Sequence, residues 1–155
     1  MAAFAGESQA NRKYLAFANQ AEKEGKMGLA KLFRAAAEGE TIHALHHFAN
    51  AGQVKTSKEN LEAAIAGETY EFTEMYPGFI ATAEAEGQGA AKIGFVGANA
   101  VEQEHAAFFK EALEQDGDIE EKDYYICSIC GHIHVGQAPE NCPICKFPKD
   151  KFFAL

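Results

Sequence analysis

Cysteine is absent from the first 126 residues of the chain, and all four cysteines lie between Cys127 and Cys145. The tail therefore differs in kind from the long stretch before it. A chain of 155 residues has room for a helical domain of about 120 residues and one very small second domain. We predict a first domain over residues 1–115, a linker over 116–123 and a second domain over 124–155.

Basic residues are also scarce. The chain has 14 Lys and Arg against 23 Asp and Glu, a net charge of -9, and no basic run. Because binding a phosphate backbone requires clustered Lys and Arg, this charge balance argues against a nucleic-acid partner. An acidic surface could steer a cationic partner, although solubility alone would explain it as well.

Long apolar runs are missing too. No run approaches the roughly 20 residues that span a bilayer, and the N-terminus has no basic region followed by an apolar core and a cleavage site. We therefore expect a cytoplasmic protein with no membrane partner.

Residues 1–115 lack strand-like alternation and are rich in helix-forming residues, with apolar positions at helical spacing. We predict helices over 2–24, 28–50, 57–86 and 88–115, separated by breaks that contain glycine. Thr56 followed by Glu59 predicts a capping box at the start of the third helix. Pro77 predicts a kink within it, because proline removes a backbone donor.

The first two helices and the second two repeat each other at an offset of 61 to 62 residues. Residues 5–8 (AGES) recur as residues 66–69 (AGET), and Tyr14 recurs as Tyr76. The pair Glu40 and His43 recurs as Glu102 and His105. One helical hairpin is used twice, and each copy brings its carboxylates and its histidine to one level.

The repeated residues are of the metal-binding type. Residues i and i+3 share a helix face, so each Glu-x-x-His pair can direct an oxygen and a nitrogen ligand at one metal region. Two such pairs, with a Glu from each remaining helix, form the di-metal pattern of ferritin-like four-helix bundles. Oxygen-rich ligation suits iron or manganese better than structural zinc. The predicted ligands are Glu7, Glu40, His43, Glu68, Glu71, Glu102 and His105.

Other polar residues lie near these motifs. Tyr14 and Tyr76 follow the first Glu of each hairpin by about two turns, where they could support a ligand carboxylate or serve as ordinary core aromatics. We expect exposed positions for Glu38, Glu74, Glu84 and Glu104, and a surface or end-of-site position for His46 and His47.

The tail carries two Cys-x-x-Cys steps separated by eleven residues. Two disulfides are an alternative, but this pairing without a signal peptide favours one tetrahedral metal held by four thiolates. The cysteine spacing identifies the metal itself less clearly, since zinc ribbons use similar knuckles. We do not expect His132 or His134 to be ligands. The predicted apolar core comprises Tyr124, Tyr125, Ile126, Phe147, Phe152 and Phe153.

Together these motifs resemble the rubrerythrin family over essentially the whole chain. The segments that carry the resemblance are residues 3–8 (AFAGES), 67–68 and 74–77 (EMYP), the two Glu-x-x-His pairs, Cys-x-x-Cys-Gly and Cys-Pro-x-Cys. The resemblance implies a di-iron centre in the bundle and a rubredoxin-like Fe(Cys)4 domain formed by Cys127, Cys130, Cys142 and Cys145, three irons per chain in all. It also implies a peroxidase that protects against oxidative stress by reducing hydrogen peroxide to water, with electrons entering through the Fe(Cys)4 site.

The resemblance further implies roles for single residues. Glu40 and Glu102 would bridge the irons, and Glu68 and His105 would complete one of them. Glu7 would hold the other iron, which Glu71 binds when oxidised and His43 when reduced. The electron donor would be a protein such as a rubredoxin or a NAD(P)H-dependent reductase. Two alternatives use the same ligands: a ferroxidase or oxidase that consumes oxygen, and a non-catalytic iron buffer whose tail is a zinc ribbon.

The link between the second and third helices is short. Residues 51–56 reach about 20 Å, whereas the parallel helices of a ferritin-like bundle would require crossing most of a helix about 35 Å long. The bundle is therefore either a simple up-down-up-down one or is formed by hairpins exchanged between two chains. We favour exchange and expect a homodimer or higher homo-oligomer in which electrons pass between subunits.

Overall fold

The computed structural model describes all 155 residues and divides into two compact units, Met1–Lys55 and Thr56–Leu155. The first unit is a helical hairpin, and the second is another helical hairpin followed by a small sheet that carries the cysteines. The predicted fold class, four helical segments followed by a metal-knuckle tail, is confirmed. None of the helices has both the length and the apolar character that crossing a membrane requires.

The first unit consists of α1 (Ala2–Lys23) and α2 (Met27–Asn50), joined at Gly25, whose φ of 73° is left-handed. Small residues let the two helices approach closely, since the buried positions are alanines: Ala18, Ala21, Ala30, Ala37 and Ala44. Asn11 on α1 ties the pair together, because its Nδ2 donates to the carbonyl of Ala37 at 2.7 Å and to Thr41 Oγ1 at 2.8 Å.

The hairpin of the second unit has an interrupted first helix. It comprises α3 (Ser57–Tyr70), a π-helical turn (Glu71–Met75) and α4 (Tyr76–Ala85), followed by the returning helix α5 (Gly89–Glu114). The predicted capping box is present, with Thr56 Oγ1 accepting from the Glu59 amide and the Glu59 carboxylate accepting from the Thr56 amide. The predicted helix bounds agree with the structure to within one residue.

The π-helical turn marks a one-residue insertion in the repeat. Glu7 and Glu68 are 61 residues apart, whereas Tyr14 and Tyr76 are 62 apart, so the second hairpin has one extra residue between them. An inserted residue is accommodated in a helix as one wider turn. The discontinuity predicted at Pro77 lies in this turn instead. Pro77 itself occupies the first turn of α4, where a missing N–H is tolerated.

Matching aromatic clusters confirm the duplication. Each hairpin holds one tyrosine and two phenylalanines, and the ring-centroid distances are 6.4, 6.2 and 5.6 Å in the first and 6.4, 6.2 and 5.5 Å in the second. Their positions correspond at an offset of 62 residues: Tyr14, Phe17 and Phe33, then Tyr76, Phe79 and Phe95. The two hairpins therefore pack internally in the same way.

The tail is a three-stranded antiparallel sheet in the order β2-β1-β3. Its strands are β1 (Tyr124–Cys127), β2 (Ile133–Val135) and β3 (Phe152–Ala154), with a 3-10 turn over Lys149–Lys151. Two of the residues predicted for its core are exposed, Phe147 by 45% and Phe153 by 50%. The fully buried side chains here are Cys127 and Cys142, so the cysteine cluster itself forms much of the tail's interior.

Candidate metal centres

The first hairpin brings three predicted ligands together. Glu7 on α1 and the pair Glu40 and His43 on α2 place ligand atoms within 4.8 Å of one another. His43 Nδ1 lies 2.9 Å from Glu40 Oε2. The His43 side chain is 59% exposed in the single chain.

The second hairpin repeats this arrangement in a more enclosed form. Glu68 on α3 and the pair Glu102 and His105 on α5 again lie within 4.8 Å of one another. His105 Nδ1 is 2.8 Å from Glu102 Oε2 and 3.9 Å from Glu68 Oε1. The exposed fractions of these three side chains are 14–21%. Each hairpin therefore holds two carboxylates and one imidazole in the same geometry.

The charges in the second cluster favour a bound cation. Burial raises the pKa of Glu68, and the nearby Glu102 raises it further. Burial likewise raises the pKa of Glu71, and Glu68 adds to the effect. Carboxylates held together away from water are costly to ionise, and a metal ion would remove that cost. The donor set of carboxylates and imidazole fits iron.

Glu71 lies beside this cluster and belongs to a different local structure. It is the first residue of the π-helical turn and has no counterpart in the first hairpin. Its carboxylate interacts electrostatically with Glu68 and His105 but is not among the atoms within 4.8 Å. Of the seven predicted ligands, six form the two clusters and Glu71 adjoins the second.

The two tyrosines occupy equivalent places against their phenylalanine neighbours. Burial raises the pKa of Tyr76, followed by the charges of Glu102, Glu71 and Glu68, which places its hydroxyl in the field of the second cluster. A tyrosine in this field retains its proton and can donate a hydrogen bond to a carboxylate.

The four cysteines also form one cluster. The sulfurs of Cys127 and Cys145 are 3.6 Å apart, as are those of Cys130 and Cys142, and all four lie within 4.8 Å. A tetrahedral site with metal–sulfur bonds of about 2.3 Å has edges of about 3.8 Å, so this cluster fits a four-coordinate metal. The cysteines are free rather than disulfide-bonded.

Backbone amides around the knuckles point at the sulfurs. The amides of Ile129 and Cys130 donate to the Cys127 sulfur, that of His132 to Cys130, and that of Phe147 to Cys145. Burial raises the pKa of Cys130 strongly. Buried thiols of this kind ionise together only when a metal holds them, which again fits a bound iron.

One contact contradicts the sequence analysis. Glu104, expected to be exposed, has a side chain only 31% exposed and accepts a hydrogen bond from His132 Nδ1 at 2.5 Å. His132 itself is 6% exposed. The pair links α5 to the first knuckle, and no repeat or spacing in the sequence could reveal it, because it depends on how the tail packs. The expected exposure holds for Glu38, Glu74, Glu84, His46 and His47.

Comparison with known proteins supports two metal-binding regions. A family model described as rubrerythrin matches residues 1–113, and one described as the rubredoxin-like domain of rubrerythrin matches residues 125–153. The chain is 36% identical to nigerythrin of Nitratidesulfovibrio vulgaris, over 99% of this chain and 83% of that protein. It is 37% identical to a rubrerythrin of Porphyromonas gingivalis, over 97% and 84% respectively.

A solved structure of nigerythrin in a mixed-valence state is also similar. It has a TM-score of 0.61 and 37% sequence identity, and the match covers 99% of this chain and 83% of that one. Both the helical part and the cysteine tail therefore have counterparts in these proteins.

Proposed function

The chain belongs to the rubrerythrin family, and on that premise we propose that it is a non-haem peroxidase that reduces hydrogen peroxide to water. Family membership and the two donor sets make it an iron-dependent oxidoreductase. The observation that carries the proposal is the presence in one chain of carboxylate–histidine clusters suited to paired irons and a four-cysteine cluster suited to one.

Each peroxide requires two electrons and two protons, H2O2 + 2 H+ + 2 e− giving 2 H2O. Iron would supply the redox chemistry. The paired site would deliver two electrons to each peroxide, and the cysteine site would pass electrons on one at a time. The electrons come from an external donor protein, such as a rubredoxin or a NAD(P)H-dependent reductase. The carboxylates around the paired site are placed to relay the protons.

The ligands divide between the two hairpins. Glu40 and Glu102 would bridge the irons, Glu68 and His105 would complete one iron, and Glu7 would hold the other. Glu71 and His43 would be the alternative ligands of this second iron, because added positive charge favours an anionic oxygen ligand and a ferrous ion would accept a neutral imidazole. One feature supports these alternative ligands: Glu71 lies at the start of a π-helical turn, beside Glu68 and His105.

A complete di-iron centre would combine a cluster from each kind of hairpin. Each hairpin alone also leaves apolar side chains exposed, among them Phe17 (48%) and Leu32 (65%) in the first and Phe79 (47%) and Ile93 (76%) in the second. A partner hairpin would cover such side chains. Together with the short link over residues 51–56, this supports a homodimer in which each bundle takes one hairpin from each chain.

Two measurements test the proposal. The first is the metal content of protein expressed with iron, where we expect three irons per chain and no zinc. The second is the turnover of peroxide with a reduced electron-donor protein, compared with the turnover of oxygen. Faster consumption of oxygen would indicate an oxidase or ferroxidase. Two irons with one zinc and no peroxide turnover would indicate iron buffering and would overturn the proposal.

Nigerythrin, a similar protein of solved structure, is described in mixed-valence and in fully reduced, all-ferrous states. A relative whose metals adopt several oxidation states supports redox cycling at the equivalent sites of this chain.

A further inference from the structure

The first cysteine knuckle packs against α5 at the level of its metal ligands. A Cβ added to Gly131 would lie 3.8 Å from Cγ1 of Val101, which is 1% exposed. One residue further along the knuckle, His132 Nδ1 donates to Glu104 Oε2 at 2.5 Å. Val101 directly precedes the ligand Glu102, and Glu104 directly precedes the ligand His105. The knuckle therefore lies against the segment of helix that carries both ligands.

The second knuckle provides an internal comparison. Gly131 and Lys146 occupy equivalent positions with φ values of 84° and 64°, and each is followed by a residue whose amide donates to a cysteine sulfur. Those following residues are His132 and Phe147. The backbone is thus the same in both knuckles, but His132 is buried against α5, whereas Phe147 is 45% exposed. The difference between the two knuckles lies in the side chain.

We propose that His132 and Glu104 are positioning residues that lock the first knuckle onto α5, so that the cysteine site stays against the segment of this helix that carries Glu102 and His105. This inference rests on the proposed function. A bonded route from the cysteine site to the bundle then leaves the Cys130 sulfur through the His132 amide. It continues across the imidazole to Glu104 and on to His105.

One electron would follow this route at a time, and two passages would supply the two electrons that each peroxide consumes. The external donor protein then reduces the cysteine site again. The sequence predicts electron transfer between subunits. Where the receiving bundle combines hairpins of two chains, as proposed above, these electrons also reach ligands of the other chain.

The test uses iron-loaded protein and two lock variants, H132F and E104L. H132F gives the first knuckle the aromatic residue of the second, and E104L removes the acceptor. E104Q keeps an acceptor oxygen and serves as the conservative variant. F147L, at the equivalent exposed position, and E111Q, at an exposed position on the same helix, are the matched controls.

The first readout is the rate at which the fully reduced cysteine site is oxidised after mixing with peroxide, followed through its visible absorption. We expect H132F and E104L to slow this rate severalfold, because a knuckle released from α5 moves away from the bundle and electron transfer slows with distance. E104Q should lose less, and both controls should match the original protein. The direct reaction of the reduced bundle with peroxide should stay unchanged in all variants.

The second readout is amide hydrogen exchange over residues 127–134, which does not depend on activity. The lock predicts faster exchange in H132F and E104L but not in F147L. The double variant should be no worse than either single one, since both remove the same contact.

Unchanged exchange in H132F would show that no lock exists. Faster exchange with an unchanged oxidation rate would overturn the positioning role. If peroxide fails to oxidise the cysteine site even in the original protein, the proposed function fails, and the exchange measurement still decides whether the lock exists.

Discussion

Glu68 Oε1 lies 3.9 Å from His105 Nδ1, although the two residues stand on different helices and are separated by 37 positions in the chain. This contact joins α3 to α5 at the centre of the second cluster. With Glu102 beside them, the cluster gathers negative charge that only one imidazole offsets. The cluster is therefore costly without a metal and favourable with one.

The raised pKa of Glu68 predicts how the metal-free protein responds to pH. A carboxyl group whose pKa is higher in the folded state than in the unfolded state favours folding at low pH, and this contribution is lost as the pH rises through the folded pKa. We expect E68Q to raise the melting temperature of the metal-free protein at pH 8 by about 1–4 °C and to have a smaller effect at pH 5. Thermal unfolding of protein dialysed against a chelator measures both.

E38Q, which removes an exposed carboxylate of α2, is the control and should show no such dependence on pH. In the iron-loaded protein the sign should reverse, because E68Q then removes a ligand. Equal effects of E68Q at pH 5 and pH 8 would contradict the electrostatic explanation.

Replacement of one buried cysteine should show that the cysteine site and the bundle site have separate roles. Cys142 is fully buried, and its replacement by serine leaves three thiolates for the metal. We expect C142S to abolish peroxide turnover driven by a donor protein. The chemically reduced bundle should still react once with peroxide, which a single-turnover experiment measures. If that single reaction is lost as well, the roles of the two sites are not separable. S128A, a variant of an exposed residue in the same tail, should behave like the original protein.

The one-residue insertion gives a direct test of the π-helical turn. Deletion of the exposed residue Thr73 makes all corresponding residues of the two hairpins 61 positions apart. We therefore expect α3 and α4 to form one continuous α-helix like α1. In the first hairpin, where α1 is continuous, Glu7, Glu40 and His43 still lie together. Iron binding should therefore persist, while the setting of Glu71 changes and peroxide turnover falls by about tenfold or more.

Mössbauer spectra of the oxidised and reduced protein check this expectation, because they report the ligands of each iron. A smaller change between the two states than in the original protein would support a role of the turn in ligand exchange. Unaltered spectra and turnover would show that the turn has no such role. T73S retains the chain length and is the control.

The sequence was sufficient for features that depend on local spacing. The Glu-x-x-His pairs and the Cys-x-x-Cys steps follow from residues a few positions apart, and the hairpin repeat follows from a constant offset of 61 to 62 residues. The structure brings the residues of these pairs and steps together. Contacts that depend on how separate elements pack were missed. Glu104 has no counterpart in the repeat, and only the docking of the tail on α5 explains its burial.

The π-helical turn is an intermediate case. The offset changes between Glu68 and Tyr76 in the sequence, whereas Pro77 predicts a discontinuity a few residues later than the turn at Glu71–Met75. The exposure of Phe147 and Phe153 shows a similar limit, since composition alone cannot distinguish an aromatic residue in a small core from one on its surface.

The length of the link between the hairpins predicts the state of assembly. Residues 51–56 span about 20 Å, which is too short for two hairpins of one chain to adopt a ferritin-like arrangement of helices about 35 Å long. Insertion of about 24 Gly and Ser residues after Gly52 would give a flexible link with an average span of about 30 Å. The hairpins of one chain could then pair with each other. We expect the original protein to sediment as a dimer or larger assembly and the lengthened variant to shift toward monomer, with the same iron content per chain.

A matched variant with six inserted residues should remain associated, because its link is still shorter than a helix on average. Sedimentation velocity and iron analysis on the same samples distinguish the possibilities. A lengthened variant that stays dimeric with full iron would mean that another surface holds the chains together. An original protein that is monomeric and retains all of its irons would exclude hairpin exchange, because a single chain would then complete both clusters by itself.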